Sequence, residues 1–292
     1  MDQVVVITGA ARGFGFALAQ AFMRAGARVV ISDLHADAVA QAVEALAAIG
    51  PVRGWAADVR SLEQMRMLAQ RTLQTWGRFD VWVNNAGLAS PSGELVDMAP
   101  EDARRIWETN ALGVFHGTKV ALAHFLPRDQ GTLVNIYGAG SFLRPHSPAG
   151  LYAASKAWIT SFTRTLAKEL RGSGVRVIGF HPGVMPTAML THVQVRGERG
   201  EERLRRVSWV LRALGRPPEV PARRLVELVA HNRKPFVEYR MLRPWHVVMG
   251  FARVLWARRR GTYQDVPLTV EVLPPHRVSL DDGQATDDIA ML

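Results

Sequence analysis

The chain opens with four consecutive aliphatic residues, Val4-Val5-Val6-Ile7, that run directly into Thr8-Gly9-Ala10-Ala11-Arg12-Gly13-Phe14-Gly15. Apolar residues without alternation suit a strand covered on both faces, as in a parallel sheet. The glycines permit a sharp turn, and a helical pattern over residues 14–25 follows, stopped by Gly26. In that context the turn reads as a phosphate site: the backbone approaches a pyrophosphate closely and the helix N-terminus faces its charge. A plain tight turn is the alternative.

The alternation continues. Strand patterns occupy residues 28–32, 52–57, 81–84, 132–136 and 175–180, and helical patterns occupy 36–49, 62–75, 101–125 and 152–171. Strands alternating with helices at this spacing predict an α/β fold with a doubly wound parallel sheet, a Rossmann fold with helices on both faces. After Pro182 the pattern changes. Residues 191–206 are highly charged, Arg216-Pro217-Pro218 interrupts the chain, and 222–231 reads as a helix. Residues 245–260 are apolar on most of a helical circumference, broken by a stripe of His246, Gly250, Arg253 and Arg260. The tail from Ser279 carries Asp281, Asp282, Asp287 and Asp288 and is expected not to pack. The expected division is a nucleotide-binding and catalytic core over 1–188, a substrate-loop and helical extension of the same domain over 189–262, and a partly disordered tail over 263–292.

The 292 residues include no cysteine, which removes disulfides, thiolate metal ligands and cysteine nucleophiles, and no metal is expected. The net charge of +10 is concentrated: residues 190–260 hold 17 Lys or Arg against 6 Asp or Glu. This region carries no nucleic-acid motif and the rest of the chain no basic stripe, so no nucleic-acid partner is expected. The first strand pattern begins almost at once, so no leader is expected. No apolar run approaches the roughly 20 residues a spanning helix needs. The expected location is the cytoplasm, with membrane association through residues 245–260 left open.

Asp33 ends the second strand pattern, where a carboxylate accepts hydrogen bonds from an adenosine ribose and repels a 2′-phosphate. That favours NAD, while Arg12 in the turn keeps NADP open. Tyr152 and Lys156 are four apart on one helical face, where an ammonium stabilises a phenolate and lowers the tyrosine pKa. A solvated helix surface is the competing reading of that pair taken alone.

Together these motifs resemble the classical short-chain dehydrogenase/reductase family over about residues 3–188. Thr8, Gly9, Gly13 and Gly15, with Arg12 and Phe14 between them, match its cofactor loop. Asp58-Val59 matches the adenine contact, Asn84-Asn85-Ala86-Gly87 the turn after the fourth strand, and Asn110 the active-site asparagine. Tyr152 and Lys156 match the catalytic pair. His181-Pro182-Gly183-Val184, with Thr187, matches the segment holding the nicotinamide carboxamide. Each has a plainer alternative: Asp58 as a helix cap, Asn84, Asn85 and Gly87 as turn chemistry, Asn110 as a partner of its own helix.

The serine position departs from the family. A serine usually stands about 13 residues before the tyrosine, whereas here Asn135-Ile136 leads into Tyr137-Gly138-Ala139-Gly140-Ser141. Ser141 is the expected donor to the substrate oxygen, the flanking glycines letting its loop bulge. Tyr137 as substitute, or no donor, are the alternatives. The resemblance implies hydride transfer between NAD(P) and a ketone or secondary alcohol, with Tyr152 as general acid/base, Lys156 tuning it and Asn110 in a proton relay. A nucleotide-binding scaffold without turnover is the other function class. A small, apolar carbonyl or alcohol substrate and a homo-oligomer are expected. Residues 245–260 have three readings: packing on the domain or a neighbouring subunit, a peripheral membrane contact, or cover for a lipid-like substrate.

Overall fold

Complete burial of Val4, Val5, Val6 and Ile7 identifies their strand as the centre of the sheet. The computed structural model describes residues 2–143, 146–197 and 200–278, without the side chains of 200–206. The acidic tail from Ser279 lies outside the described residues.

The first half alternates strictly. Strand β1 (Val4–Thr8) leads to α1 (Gly13–Arg24), β2 (Arg28–Asp33) to α2 (Ala36–Ala47), and β3 (Val52–Ala56) to α3 (Leu62–Trp76). Then come β4 (Val81–Asn84), α4 (Pro100–Ile106), α5 (Gly113–Phe125), β5 (Gly131–Ile136), α6 (Gly150–Glu169) and β6 (Val175–His181). The remainder holds α7 (Ala188–Thr191), β7 (His192–Arg196), α8 (Gly200–Leu214), α9 (Glu219–His231), β8 (Phe236–Arg240), α10 (Pro244–Arg259) and β9 (Thr269–Leu273).

Seven strands pair in the order β3-β2-β1-β4-β5-β6-β8, every pair parallel. One apolar cluster lies on each face, with Leu18, Phe22 and Leu225 among one and Trp82, Phe79 and Phe125 among the other. The order reverses between β1 and β4, and a sheet of this kind binds its ligand outside the carboxyl ends of the strands flanking that reversal. A buried polar chain fixes α6 against this edge. Trp82 Nε1 donates to Asn84 Oδ1, Asn84 Nδ2 to Asn135 Oδ1, and Asn135 Nδ2 to Thr163 Oγ1, each at 2.9 Å.

Two features differ from the sequence reading. The helix expected over 101–125 is interrupted by a π-helical segment, Trp107–Leu112, in which Gly113 N reaches back five residues to Glu108 O. Gly113 sits tightly on Val59, where a Cβ would lie 2.7 Å from Cγ2. The second feature is strand pairing beyond residue 188. β8 closes the main sheet beside β6, and β7 pairs in parallel with β9. Arg196, itself nearly buried, bonds the carboxylate of Asp102 at 2.9 Å, and Arg277 bonds Asp97 at 2.6 Å. The C-terminal segment is thereby tied to the loop after β4. No helix among the described residues is long and apolar enough to cross a membrane.

Candidate active site

The glycine turn after β1 is built for close backbone approach. Gly9 and Gly13 have φ of +62° and +60°, left-handed values that glycine adopts without strain. A Cβ on Gly9 would lie 2.6 Å from Ala86 Cα, and one on Gly15 would strike Gly9 O and Asn85 Nδ2. Thr8 Oγ1 accepts from the amides of Asn85 and Ala86 at 3.1 Å. Asn85 Nδ2 returns bonds to Thr8 O at 2.9 Å and Gly9 O at 2.8 Å. The loops after β1 and β4 are thus stitched together at the sheet reversal. Thr187 completes the cradle from β6, its Cγ2 lying 3.7 Å from where a Gly13 Cβ would be.

Asp33 is held at the mouth of this turn by the amides of Ala11 at 3.1 Å and Leu34 at 2.8 Å. Arg12 is exposed beside it. Phe14, expected among the cofactor residues, turns its ring into the core, stacked on Phe180 at 6.4 Å. Only its backbone serves the turn. Asp58 does not cap α3; Ser61 does, accepting from Gln64 N at 3.3 Å. Asp58 instead receives the Arg60 guanidinium at 2.7 Å, and that hydrogen bond holds its carboxyl below the usual range. The neighbouring Val59 is buried, its carbonyl 3.0 Å from His116 Nδ1.

Asn110, fully buried in the π segment, reaches outside its own helix. Its Oδ1 accepts from Leu88 N at 2.8 Å, and its Nδ2 donates to Leu88 O and to Ser155 Oγ, both at 3.0 Å. One side chain therefore links the loop after β4 to α6. Beside it, the point where a Gly87 Cβ would sit is 3.2 Å from Asn110 Oδ1 and 3.7 Å from Lys156 Nζ.

Lys156 is buried, donates to Ile136 O at 3.1 Å and lies 5.7 Å from the Tyr152 ring centroid. Burial pushes Lys156 down to about 8 and Tyr152 up to about 12. The expected depression of Tyr152 by Lys156 is therefore not what the site shows. Desolvation disfavours the charged form of both groups and is the cause of both shifts. At neutral pH Tyr152 carries its proton and has it to give.

The largest correction concerns Ser141. Its hydroxyl is buried, donates to Lys156 O at 3.2 Å and accepts from Gly138 N at 3.3 Å. It fastens the loop to α6, with both of these hydrogen bonds made to backbone groups. The residue against the Tyr152 hydroxyl is Gly138, where a Cβ would strike Tyr152 Oη and lie 3.1 Å from its Cζ. Tyr137, the alternative donor, is turned away and donates to Glu238 at 3.1 Å.

His181 secures the same loop. Its Nδ1 accepts from Gly183 N at 3.1 Å, and its ring also bonds the Gly138 backbone. Burial, then the charge of Arg240, pushes His181 down to about 4. The sign follows: from pH 6.5 down to about 4 the unfolded chain binds a proton that the folded chain refuses, so stability falls across that window. We expect acidification from pH 7 to 4.5 to cost up to about 3 kcal/mol through this group. Urea unfolding of wild type and His181→Asn checks this; equal pH slopes would contradict it.

Sequence reasoning missed Gly138 and the second role of His181. Gly138 lies 14 residues before Tyr152, close to the spacing of the absent serine, so counting pointed there. Nothing in the sequence showed that His181 and Gly138 meet across β5 and β6.

The model of the family described as short chain dehydrogenase matches residues 3–196. An uncharacterized oxidoreductase YxnA of Bacillus subtilis is 30% identical over 80% of this chain, which spans 64% of that protein. The 3-oxoacyl-[acyl-carrier-protein] reductase FabG of Thermotoga maritima is 33% identical over 75% of this chain and 87% of its own. Among solved structures, a short chain dehydrogenase/reductase from Burkholderia phymatum in complex with NAD superposes with a TM-score of 0.73 at 25% identity, covering 91% and 98% of the two chains. A metagenomic short-chain oxidoreductase in complex with NADP gives 0.65 at 25% identity over 82% and 98%.

Proposed function

Because the chain belongs to the short-chain dehydrogenase family of NAD- or NADP-using oxidoreductases, we propose that it interconverts a ketone and a secondary alcohol, with Tyr152 as general acid/base. The observation that carries this is the convergence of Tyr152, Lys156 and Asn110 beside a glycine cradle that a single added Cβ would fill. The nicotinamide supplies or accepts the hydride.

The chain's own residues do the rest. Gly9, Gly13, Gly15 and Thr187 would admit a dinucleotide's pyrophosphate, Asp33 would accept from its adenosine ribose, and Asp58, Val59, Asn85, Ala86 and Gly87 would complete the cofactor's surroundings. Pro182, Gly183 and Val184 would hold the nicotinamide end. Tyr152 Oη donates its proton to the carbonyl oxygen in reduction and takes one back in oxidation. Lys156 supplies positive charge to the resulting phenolate. The space beside Gly87, within reach of both Asn110 Oδ1 and Lys156 Nζ, suits a proton relay. With Gly138 in the serine's place, Tyr152 polarises the substrate oxygen as well as protonating it. Apolar Leu88, Leu143 and Met189 are exposed on the segments following β4, β5 and β6, which favours an apolar substrate.

A panel of apolar ketones and secondary alcohols with each dinucleotide, followed at the nicotinamide absorbance, tests this reading; binding of dinucleotide without turnover across the panel would sink it. For the dinucleotide, Asp33 favours NAD by repelling a 2′-phosphate. Asp33→Ser is expected to lower the NADH-to-NADPH ratio of kcat/KM by at least about tenfold, the effect of roughly 1.4 kcal/mol of repulsion removed. An unchanged ratio would show that Asp33 does not select.

Two partner expectations belong to the same reading. Exposed Trp107 and Phe115 on the π segment and α5 favour a homo-oligomer, and α10 favours a peripheral membrane contact.

A further inference from the structure

Helix α10 is apolar on two opposite faces. Inward, Gly250 presses against Ala213 O, Phe251 packs on Trp209 at 4.7 Å and Val254 is buried. Outward, Trp245, Val248, Met249, Ala252, Leu255 and Trp256 recur at helical spacing and are exposed, Val248 at 70% and Trp256 at 57%. This stripe runs for about 16 Å along the helix. Nothing in the described chain covers it.

Arginines flank both ends. Arg259 and Arg260 close the C-terminal end, with the Arg260 guanidinium 3.9 Å from the Trp256 ring centroid. At the N-terminal end a cavity of about 470 Å³ is lined by Arg216, Arg223, Arg224, Arg243, Trp245 and His246, among others. Arg224 is engaged by Glu227 at 2.8 Å and Tyr239 at 2.9 Å. Arg216, Arg223 and Arg243 have no ion-pair partner among the described residues. Arg223 and Arg243 are exposed and Arg216 is half-buried, so the three present positive charge that the chain does not neutralise, and such a surface attracts anions.

We propose that α10 docks on an anionic lipid surface, its stripe entering the headgroup and acyl boundary and the Arg216, Arg223 and Arg243 cavity taking a lipid phosphate. This deepens the peripheral contact in the proposed function and is independent of hydride transfer. Tryptophans near both ends of the stripe suit the interface, where an apolar ring and a polar N–H are both satisfied. A second copy of the chain fits less well. In a two-fold pairing of α10 with itself the arginine ends would face arginines, and like charges would oppose the contact. A lipid surface supplies the opposite charge over the whole length. The docked face also adjoins the catalytic edge: Met241 and Leu242, leading into α10, pack against Gly183, and Arg216 N bonds Val184 O at 3.0 Å.

Co-sedimentation of the whole chain with phosphatidylcholine vesicles, with and without phosphatidylglycerol, tests the proposal at low and moderate salt. Pelleting is expected on the phosphatidylglycerol vesicles, weakened by salt and largely lost on phosphatidylcholine alone. The double substitution Val248→Asp with Met249→Asp, at exposed positions, should reduce partitioning at least about tenfold. Arg216→Ser, Arg223→Ser and Arg243→Ser together should reduce it about a hundredfold, from roughly fivefold per arginine. Failure of wild type to pellet on phosphatidylglycerol vesicles at low salt would overturn the proposal. So would either variant pelleting like wild type. A fall in native mass for Val248→Asp with Met249→Asp, without vesicles, would assign the face to a second copy instead.

Discussion

Tyr152→Phe is expected to reduce kcat/KM by about 10²- to 10⁴-fold, the usual contribution of a positioned general acid. The substitution removes one oxygen and keeps the ring, so the packing of α6 survives. Dinucleotide affinity should stay within about threefold of wild type, because the Gly9 to Gly15 turn, Asp33 and Thr187 hold that ligand on other elements. Steady-state kinetics and a fluorescence titration of NADH read the two quantities separately. A residual rate within about tenfold of wild type, less than roughly 1.4 kcal/mol of barrier, would mean that another group moves the proton.

Gly138→Ala should do nearly as much damage through a residue that has no side chain to lose. The added Cβ would strike Tyr152 Oη and crowd Lys156 Cγ at 3.2 Å, so the phenol must swing out of place. A displacement near 1 Å at a reacting group costs about a hundredfold in turnover. The melting temperature should barely change, because a tyrosine side chain yields more readily than backbone. Ser141→Ala provides the contrast. Among the described residues its hydroxyl bonds the Gly138 amide and the Lys156 carbonyl, so turnover should fall no more than a few-fold while stability drops by about 1 kcal/mol. If Ser141→Ala abolished turnover and Gly138→Ala did not, the expectation drawn from sequence would stand and the geometry of the loop would be wrong.

Why the sequence pointed to Ser141 and the fold points to Gly138 is a matter of range. The Val4 to Ile7 run, the glycine turn and the helix after it are local signals. Each was legible because a parallel strand covered on both faces is predominantly apolar and a left-handed turn favours glycine. The Tyr152 and Lys156 spacing was legible for the same reason. Whether a loop hydroxyl faces the tyrosine depends instead on contacts distant in sequence: His181 with Gly138, Tyr137 with Glu238 more than a hundred residues on, Ser141 with the backbone of α6. The weak strand β8 carries Glu238 and pairs with β6 only once the sheet is formed. Its alternation is too short to announce itself. Likewise β7 and β9 are joined across more than seventy residues, and neither would be stable alone.

Spacing along a helix does not by itself set a pKa; the surroundings of the pair do. Lysine four residues from tyrosine suggested a lowered phenol, and burial reversed the sign. A protonated Tyr152 beside a largely protonated Lys156 at pH 7 has a proton to give and a positive charge close by.

The most direct test of the account uses NADH deuterated at nicotinamide C4 with the ketones that turn over in the panel. Hydride transfer at this site predicts that the alcohol gains one deuterium, on its carbinol carbon, with wild type and at a rate lowered by at least about a hundredfold with Tyr152→Phe. Tight binding of the dinucleotide with no deuterium reaching any product would contradict the assignment and leave a nucleotide-binding protein without turnover.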